Sequence, residues 1–259
     1  MSSVPGVVAV NTFREAVRDR VLYNLIFFAL LMIAAAILVG QTSIGIDQLV
    51  IVNLGLTAIS VFGLVMAIFI GVGLVYKEIE KRTLYSLLSK PVRRWQFLAG
   101  KFGGLVLTLL VNTALMTLGI VLALLYVGHS FSRADASIAV AVYFILLELA
   151  LVTAFALFFS SFSTPMLSTL FTLGLFIAGV FDNDLREMAQ GAQNPAVGHL
   201  LHVLYYVVPN FHDFNVIAAA AHGDAIQGAL ILQNTLYAAL YCAILLLGAS
   251  AIFANRDLK

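Results

Sequence analysis

Gly100-Lys101 is the nearest this chain comes to a phosphate-binding loop. Such a loop needs G-x-x-x-x-G-K-[ST], because backbone amides cradle the phosphates and a hydroxyl holds magnesium. Here Trp95 stands where the first Gly belongs and Phe102 where the hydroxyl belongs, so ATP must be bound elsewhere. Ser160, Ser161 and Ser163 cluster without a surrounding G-x-S-x-G. Hinge hydroxyls bonded to nearby carbonyls explain them more simply than catalysis. His199 and His202 are three residues apart, with His212, Asp213 and His222 further on. Imidazole suits copper and zinc, which makes His199 and His202 metal candidates, but histidines at the edge of an interfacial helix give the same spacing. No H-E-x-x-H occurs. The expectation is a chain with no catalytic residues and no cofactor of its own.

These residues sit in an unusually apolar background. Hydrophobic residues make up 62% of the 259 and charged ones 10%, with a mean hydropathy of +1.03. A soluble domain has about a quarter of its residues charged. Lipid must therefore be part of the solvent. The lone Cys242 excludes an internal disulfide or a cysteine-rich metal site. The polar first twenty residues do not read as a signal peptide.

A spanning helix needs about 20 apolar residues. Six stretches qualify, near 21–40, 50–75, 102–127, 137–160, 165–181 and 230–254. Helices are the default, since lipid cannot satisfy open strand edges. No repeat or linker divides the chain, so residues 1–259 are expected to form one transmembrane domain. With the N-terminus in the cytoplasm, twelve of the fourteen Lys and Arg fall on the inner side; only Arg133 and Arg186 do not. That bias predicts both termini inside and an even number of spans.

Seven of those cations crowd into Tyr76–Lys101. Thr83 is a plausible N-cap, Leu84, Leu87 and Leu88 recur at helical spacing, and Pro91 ends the turn. The pattern predicts a short cytoplasmic helix with a leucine face between spans two and three. A loop lying on anionic headgroups is one reading, and a knob docked in a partner's groove is the other. Three leucines on one face favour docking. Near the N-terminus, Val10, Phe13 and Val17 share one helical face while Arg14 and Arg18 lie on the other, as in an interfacial amphipathic helix.

Glu80, Thr83, Leu84, Leu87, Leu88, Pro91, Arg94, Gly100 and Lys101 match E-x-x-T-L-x-x-L-L-x-x-P-x-x-R…G-K. This pattern resembles the cytoplasmic loop of ABC-2 type transporter permeases. Asn11 to Arg20 resembles their N-terminal elbow, and the ending Asn255-Arg256-Asp257-Leu258 also fits. The nearest branch is similar to the permeases linked to multicopper-enzyme maturation, the kind that accompanies nitrous oxide reductase. Arg82 departs from the Gly found before the Thr in many relatives.

The resemblance implies an all-α integral membrane protein with six spans, an elbow helix near 6–20 and a coupling helix near 83–90. It implies contact with a cytoplasmic ATP-binding subunit through Glu80, Lys81, Thr83, Leu84, Leu87, Leu88, Phe13 and Arg14, with ATP and magnesium held by that subunit. It also implies a second permease copy, either the same chain or a sister. In such permeases spans two and five line the central path. That makes Asn53, Thr57, Ser60, Ser168, Thr169, Thr172 and Phe171 candidates for a substrate path, although helix packing accounts for small and hydroxylated residues equally well. Gly100 and Gly104 read as a small-xxx-small packing motif.

Between spans five and six, residues 182–229 form a long external connection whose segment 199–211 reads as short helices lying at or dipping into the interface, similar to the family's external re-entrant helices. Glu148 falls near the centre of span four, where a charge costs about 2.5–3.5 kcal/mol. It is expected to brace the bundle by an interhelical hydrogen bond. The implied function is ATP-coupled export across a bacterial or archaeal inner membrane, with amphiphiles or lipids favoured as cargo and no nucleic-acid partner. One rival has the complex relay ATP-driven motion to a periplasmic partner without transport. Another is a partner-free secondary carrier, which would leave the leucine-faced helix unexplained.

Overall fold

In hydrocarbon every backbone amide must find its partner within the chain, and the apolar runs close into helices accordingly. A computed structural model describes residues 4–18, 20–42, 47–80, 94–128, 135–181, 194, 197–198 and 208–255. Among them are eight α-helices: α1 (Val4–Val17), α2 (Arg20–Thr42), α3 (Asp47–Glu80), α4 (Arg94–Tyr126), α5 (Ala136–Ser160), α6 (Pro165–Val180), α7 (Ile217–His222) and α8 (Gly228–Asn255), with a 3-10 turn at His212–Phe214.

Four helices contain stretches long and apolar enough to cross a membrane: Asp47–Gly73, Trp95–Tyr126, Ala136–Ser160 and Gly228–Ile252. Leu25–Gly40 in α2 and Pro165–Val180 are shorter apolar helices. The helix limits lie within a few residues of the expected spans, with two exceptions. Helix α3 continues to Glu80, past the expected end at 75, and α4 begins at Arg94 rather than 102.

The central helix is α5, apolar around its whole circumference and therefore buried. It packs against α3, α4, α6 and α8, and against α7 and the 3-10 turn. Phe144, Leu149, Val152 and Leu157 are among its buried side chains. Helix α8 is the opposite case: Leu232, Leu236, Leu240, Ile244 and Leu247 form an exposed stripe along it. In water this would be an anomalous patch; in lipid it is an ordinary outer surface. Helix α2 covers α3 and α4.

Between α5 and α6 the chain reverses at residues 161–164. Ser160 donates to the Leu157 carbonyl at 2.9 Å and Ser161 to the Phe158 carbonyl at 2.6 Å. The serine cluster is thus a hinge with satisfied hydroxyls, as the sequence led us to expect. Thr164 is extended and Pro165 opens α6, a position that loses no helical hydrogen bond.

Candidate functional site

Most of the predicted partner-facing residues fall, in sequence, between the end of α3 and the start of α4. Lys81, Thr83, Leu84, Leu87 and Leu88 lie outside the described residues, and so does the helix expected there. Glu80 is the last residue of α3. Phe13 is half-buried and Arg14 exposed on α1.

Helix α1 is seated on α4 and does not merely lie on a surface. A Cβ at Gly100 would come within 2.6 Å of Val8 Cβ, and one at Gly104 within 2.5 Å of the Ala9 carbonyl oxygen. The glycine pair is therefore a groove that admits α1's backbone, the packing role read from its spacing. The face that α1 buries is Thr12 and Ala16, not its bulky residues; Val10 is exposed. Phe13 and Val17 are half-buried, while Val8 packs against Phe97, Leu98 and Ala249. Close helix contact in a membrane favours small side chains at the point of closest approach.

Lys101 corrects the reading of the basic island. It is 2% exposed, enclosed between α1 and α4, and not free to meet headgroups. Its Nζ lies 3.8 Å from a Glu15 carboxylate oxygen and 5.9 Å from the centre of the Phe97 ring. The glycines on either side of it, Gly100 and Gly104, bring α1 close enough to cover it.

The residues suggested for a substrate path lie on α3 and α6, two helices that touch each other. Asn53 is half-buried and Thr57 exposed on α3. On α6, Ser168 and Thr172 are buried, and Thr172 donates to the Ser168 carbonyl at 2.7 Å. Thr169 is half-buried, and Phe171 is exposed with its ring 5.6 Å from that of Phe159. The Ser168 hydroxyl is buried without a hydrogen-bond partner among the described residues. Ser60 lines a cavity.

That cavity is at the other end of the bundle from the α1–α4 contact. The segment 208–222 turns inward there. Phe211 and Phe214 are buried, Phe211 meeting Phe176 at a tilt of 52° with centroids 5.1 Å apart and Phe214 meeting Phe144 at 6.5 Å. Four hydrogen bonds tie the segment to three helices. The Phe211 amide donates to Gly179 O at 3.0 Å, the Asn210 amide to the Tyr237 hydroxyl at 3.0 Å, Asn234 Nδ2 to Asp213 O at 2.8 Å, and the Ser137 hydroxyl to Ala220 O at 3.2 Å. Gly223 ends α7 with φ +74°, a conformation that suits glycine. Short helical turns lie at His212–Phe214 and Ile217–His222, whereas of the segment 199–211 expected to form interfacial helices, 199–207 lie outside the described residues, His199 and His202 included. Sequence reasoning missed the plugging role of Phe211 and Phe214. The only signal available was two aromatics three residues apart after Pro209.

The cavity has a volume of about 190 Å³ and is lined by Ser60, Ile145, Glu148, Phe176, Val180, Phe211, His212, Phe214, Asn215 and Ile217. Glu148 lies twelve residues into α5, about 18 Å along the axis from its start. It is 8% exposed and has no hydrogen-bond or ion-pair partner among the described residues. The interhelical hydrogen bond expected of it is absent there; the carboxyl borders a cavity instead. His222 Nδ1 is 2.8 Å from the Ala218 carbonyl oxygen, a local bond at the end of α7. Among the described residues no three His, Cys, Asp or Glu gather as metal ligands would.

No curated protein matches the chain. A family model described as ABC-2 family transporter protein matches residues 7–258, all but the first six residues and the last. The partner-free carrier is thereby set aside. The chain belongs to the ABC-2 transporter family and is a multi-pass membrane permease, itself non-catalytic, whose ATPase resides in a partner subunit.

Proposed function

We propose that this permease is the six-span membrane subunit of an exporter in the cytoplasmic membrane of a bacterium or archaeon, with both termini inside. Two copies, or this chain and a sister, pair with two ATP-binding subunits that hold ATP and magnesium. Residues 83–90 form the coupling helix, with Leu84, Leu87 and Leu88 seated in a cleft of the ATP-binding subunit and Glu80 and Lys81 at its rim. Phe13 and Arg14 on α1 touch the same subunit. The whole chain acts as one domain.

The observation that carries this reading is the length of α3. At 34 residues it measures about 51 Å, against a hydrocarbon core of about 30 Å. Its apolar stretch ends at Gly73, and the last turns carry Lys77, Glu78 and Glu80. A rod of this length supports a leucine-bearing segment held clear of the bilayer, within reach of a soluble motor. Closure of that motor would tilt α3 and α4 as levers.

A second reading, relay of motion to an external partner without transport, is favoured by the four hydrogen bonds that tie 208–222 to α5, α6 and α8. They would carry any movement of the spans to the opposite surface. The multicopper-enzyme branch would supply such a partner, and this assignment rests on the sequence motifs alone.

The test is purification of the tagged chain from its native membrane, alone and with Leu84, Leu87 and Leu88 all changed to Ser. Wild type should bring down an ATP-binding subunit with hydrolytic activity and the variant should not. Equal capture by both would end the docking assignment. Reconstituted vesicles then separate the two outputs, since only an exporter gives ATP-dependent flux.

A further inference from the structure

We propose that the cavity bordered by Glu148 binds a small organic ammonium ion. This goes beyond the coupling assignment and does not rest on it, because it concerns equilibrium binding to the permease chain alone.

Glu148 is more than nine-tenths buried, borders the cavity and has no partner among the described residues. An ionisable side chain at membrane depth that faces a cavity is a functional site by default. A buried carboxyl stays neutral unless a compensating charge or donors reach it, and none does so among the described residues. No Lys or Arg lines the cavity, so a cation entering it would supply the charge that pairs with Glu148.

The rest of the wall selects among cations. Phe176, Phe211 and Phe214 contribute three aromatic rings, and aromatic faces attract cations, quaternary ammonium above all. A metal ion would want several oxygen or nitrogen donors at fixed distances. The polar groups here, those of Ser60, Glu148, His212 and Asn215, are outnumbered by apolar ones. An ammonium with methyl groups satisfies both parts, its charge on Glu148 and its apolar shell on the rings. Size agrees: an apolar protein cavity of about 150 Å³ holds benzene, so about 190 Å³ admits an ion of five to seven heavy atoms. His212 and Asn215 are the exposed lining residues and mark the mouth.

The probe is tetramethylammonium, with uncharged tert-butanol as its neutral counterpart. Saturation-transfer NMR on the full chain in nanodiscs should show saturable binding of the first and much weaker binding of the second. Glu148→Gln should weaken tetramethylammonium by about tenfold or more, and Phe214→Leu, which keeps apolar volume but removes a ring, by about threefold or more. Neither change should affect tert-butanol. The assignment is overturned if tetramethylammonium binds no better than tert-butanol, or if a folded Glu148→Gln protein binds it like wild type. Should Glu148→Gln fail to fold, Phe214→Leu decides: unchanged affinity overturns the site.

Discussion

Replacing Gly104 by Ala tests whether α1 is seated in a groove of α4. The added Cβ would lie 2.5 Å from the Ala9 carbonyl oxygen and 2.6 Å from Thr12 Cβ. Carbon atoms rest at about 3.5–4.0 Å, so α1 must retreat by roughly 1 Å. Neither obstacle can step aside by changing rotamer, because one is backbone and the other a Cβ. Overpacking of this kind costs about 1–3 kcal/mol, while Ala gains about 0.5–1 kcal/mol over Gly inside a helix. The neighbouring Gly103 supplies the control. A Cβ there would meet only Ala9 Cβ, at an ordinary 3.8 Å, and the helix gain is the same. Gly104→Ala should therefore lower the melting temperature of the chain in nanodiscs and Gly103→Ala should hold or raise it, the two differing by about 1–3 kcal/mol. If the Gly104 variant melted at or above the Gly103 variant, α1 would not occupy the groove, and the burial of Lys101 would lose its cause.

Glu15→Gln removes the carboxylate 3.8 Å from Lys101, and because Glu15 is 43% exposed the loss should be only about 1 kcal/mol. Lys101→Met keeps the buried stem and should cost no more than that; equilibrium unfolding of the pair checks both, and a Met variant that is clearly the worse would show that the cation does more than pair with Glu15. Phe211→Ala removes a buried ring packed on Phe176 and should cost about 3–5 kcal/mol. It should also speed amide exchange across 210–222, and unchanged exchange would mean that the segment does not depend on this anchor. Ser168→Ala deletes a buried hydroxyl without a partner among the described residues and should be neutral or slightly stabilising. A loss above about 1 kcal/mol in the same unfolding assay would reveal a partner such as bound water.

The long helices were legible because a lipid-facing helix must be apolar where it meets lipid, and such runs stand out in any sequence; four of the six expected spans are long and apolar enough to cross a membrane. Where hydropathy ended at 75, however, the helix did not: Lys77, Glu78 and Glu80 continue α3, since leaving lipid removes the need for apolar residues but not the capacity to coil. Lys101 illustrates a different limit. Counting charges finds the cation, but only the approach of α1 to Gly100 and Gly104 decides that it is covered. The amphipathic pattern of α1 identified a helix and missed its buried face, because the pattern weighs bulk and the contact selects smallness. Phe211 and Phe214 sit among His, Asp and Asn, with no period to mark them; their burial comes from α5, α6 and α8 meeting around them. Glu148 was visible as an oddity, yet the cavity it borders depends on how α3, α6 and residues 211–217 meet around it.

One close contact links the two ends of the bundle. A Cβ at Gly63 of α3 would come 2.5 Å from Leu149 Cδ1 of α5, so at this point the two helices are pressed together and cannot slide without forcing Leu149 out. Leu149 adjoins Glu148, and Ser60, one turn before Gly63, lines the same cavity. A push on the Glu80 end of α3 should then tilt the rod about Gly63, since packed interfaces rearrange by discrete steps and do not flow. Ser60 lies on the far side of that pivot from Glu80, so its wall of the cavity would move against the direction of the push. Spin labels at Ser60 and Val180, read by pulsed distance measurements in the assembled complex, should change separation between the ATP-bound and nucleotide-free states. A constant separation, in a complex that still hydrolyses ATP, would place the pivot elsewhere and uncouple the cavity from the motor.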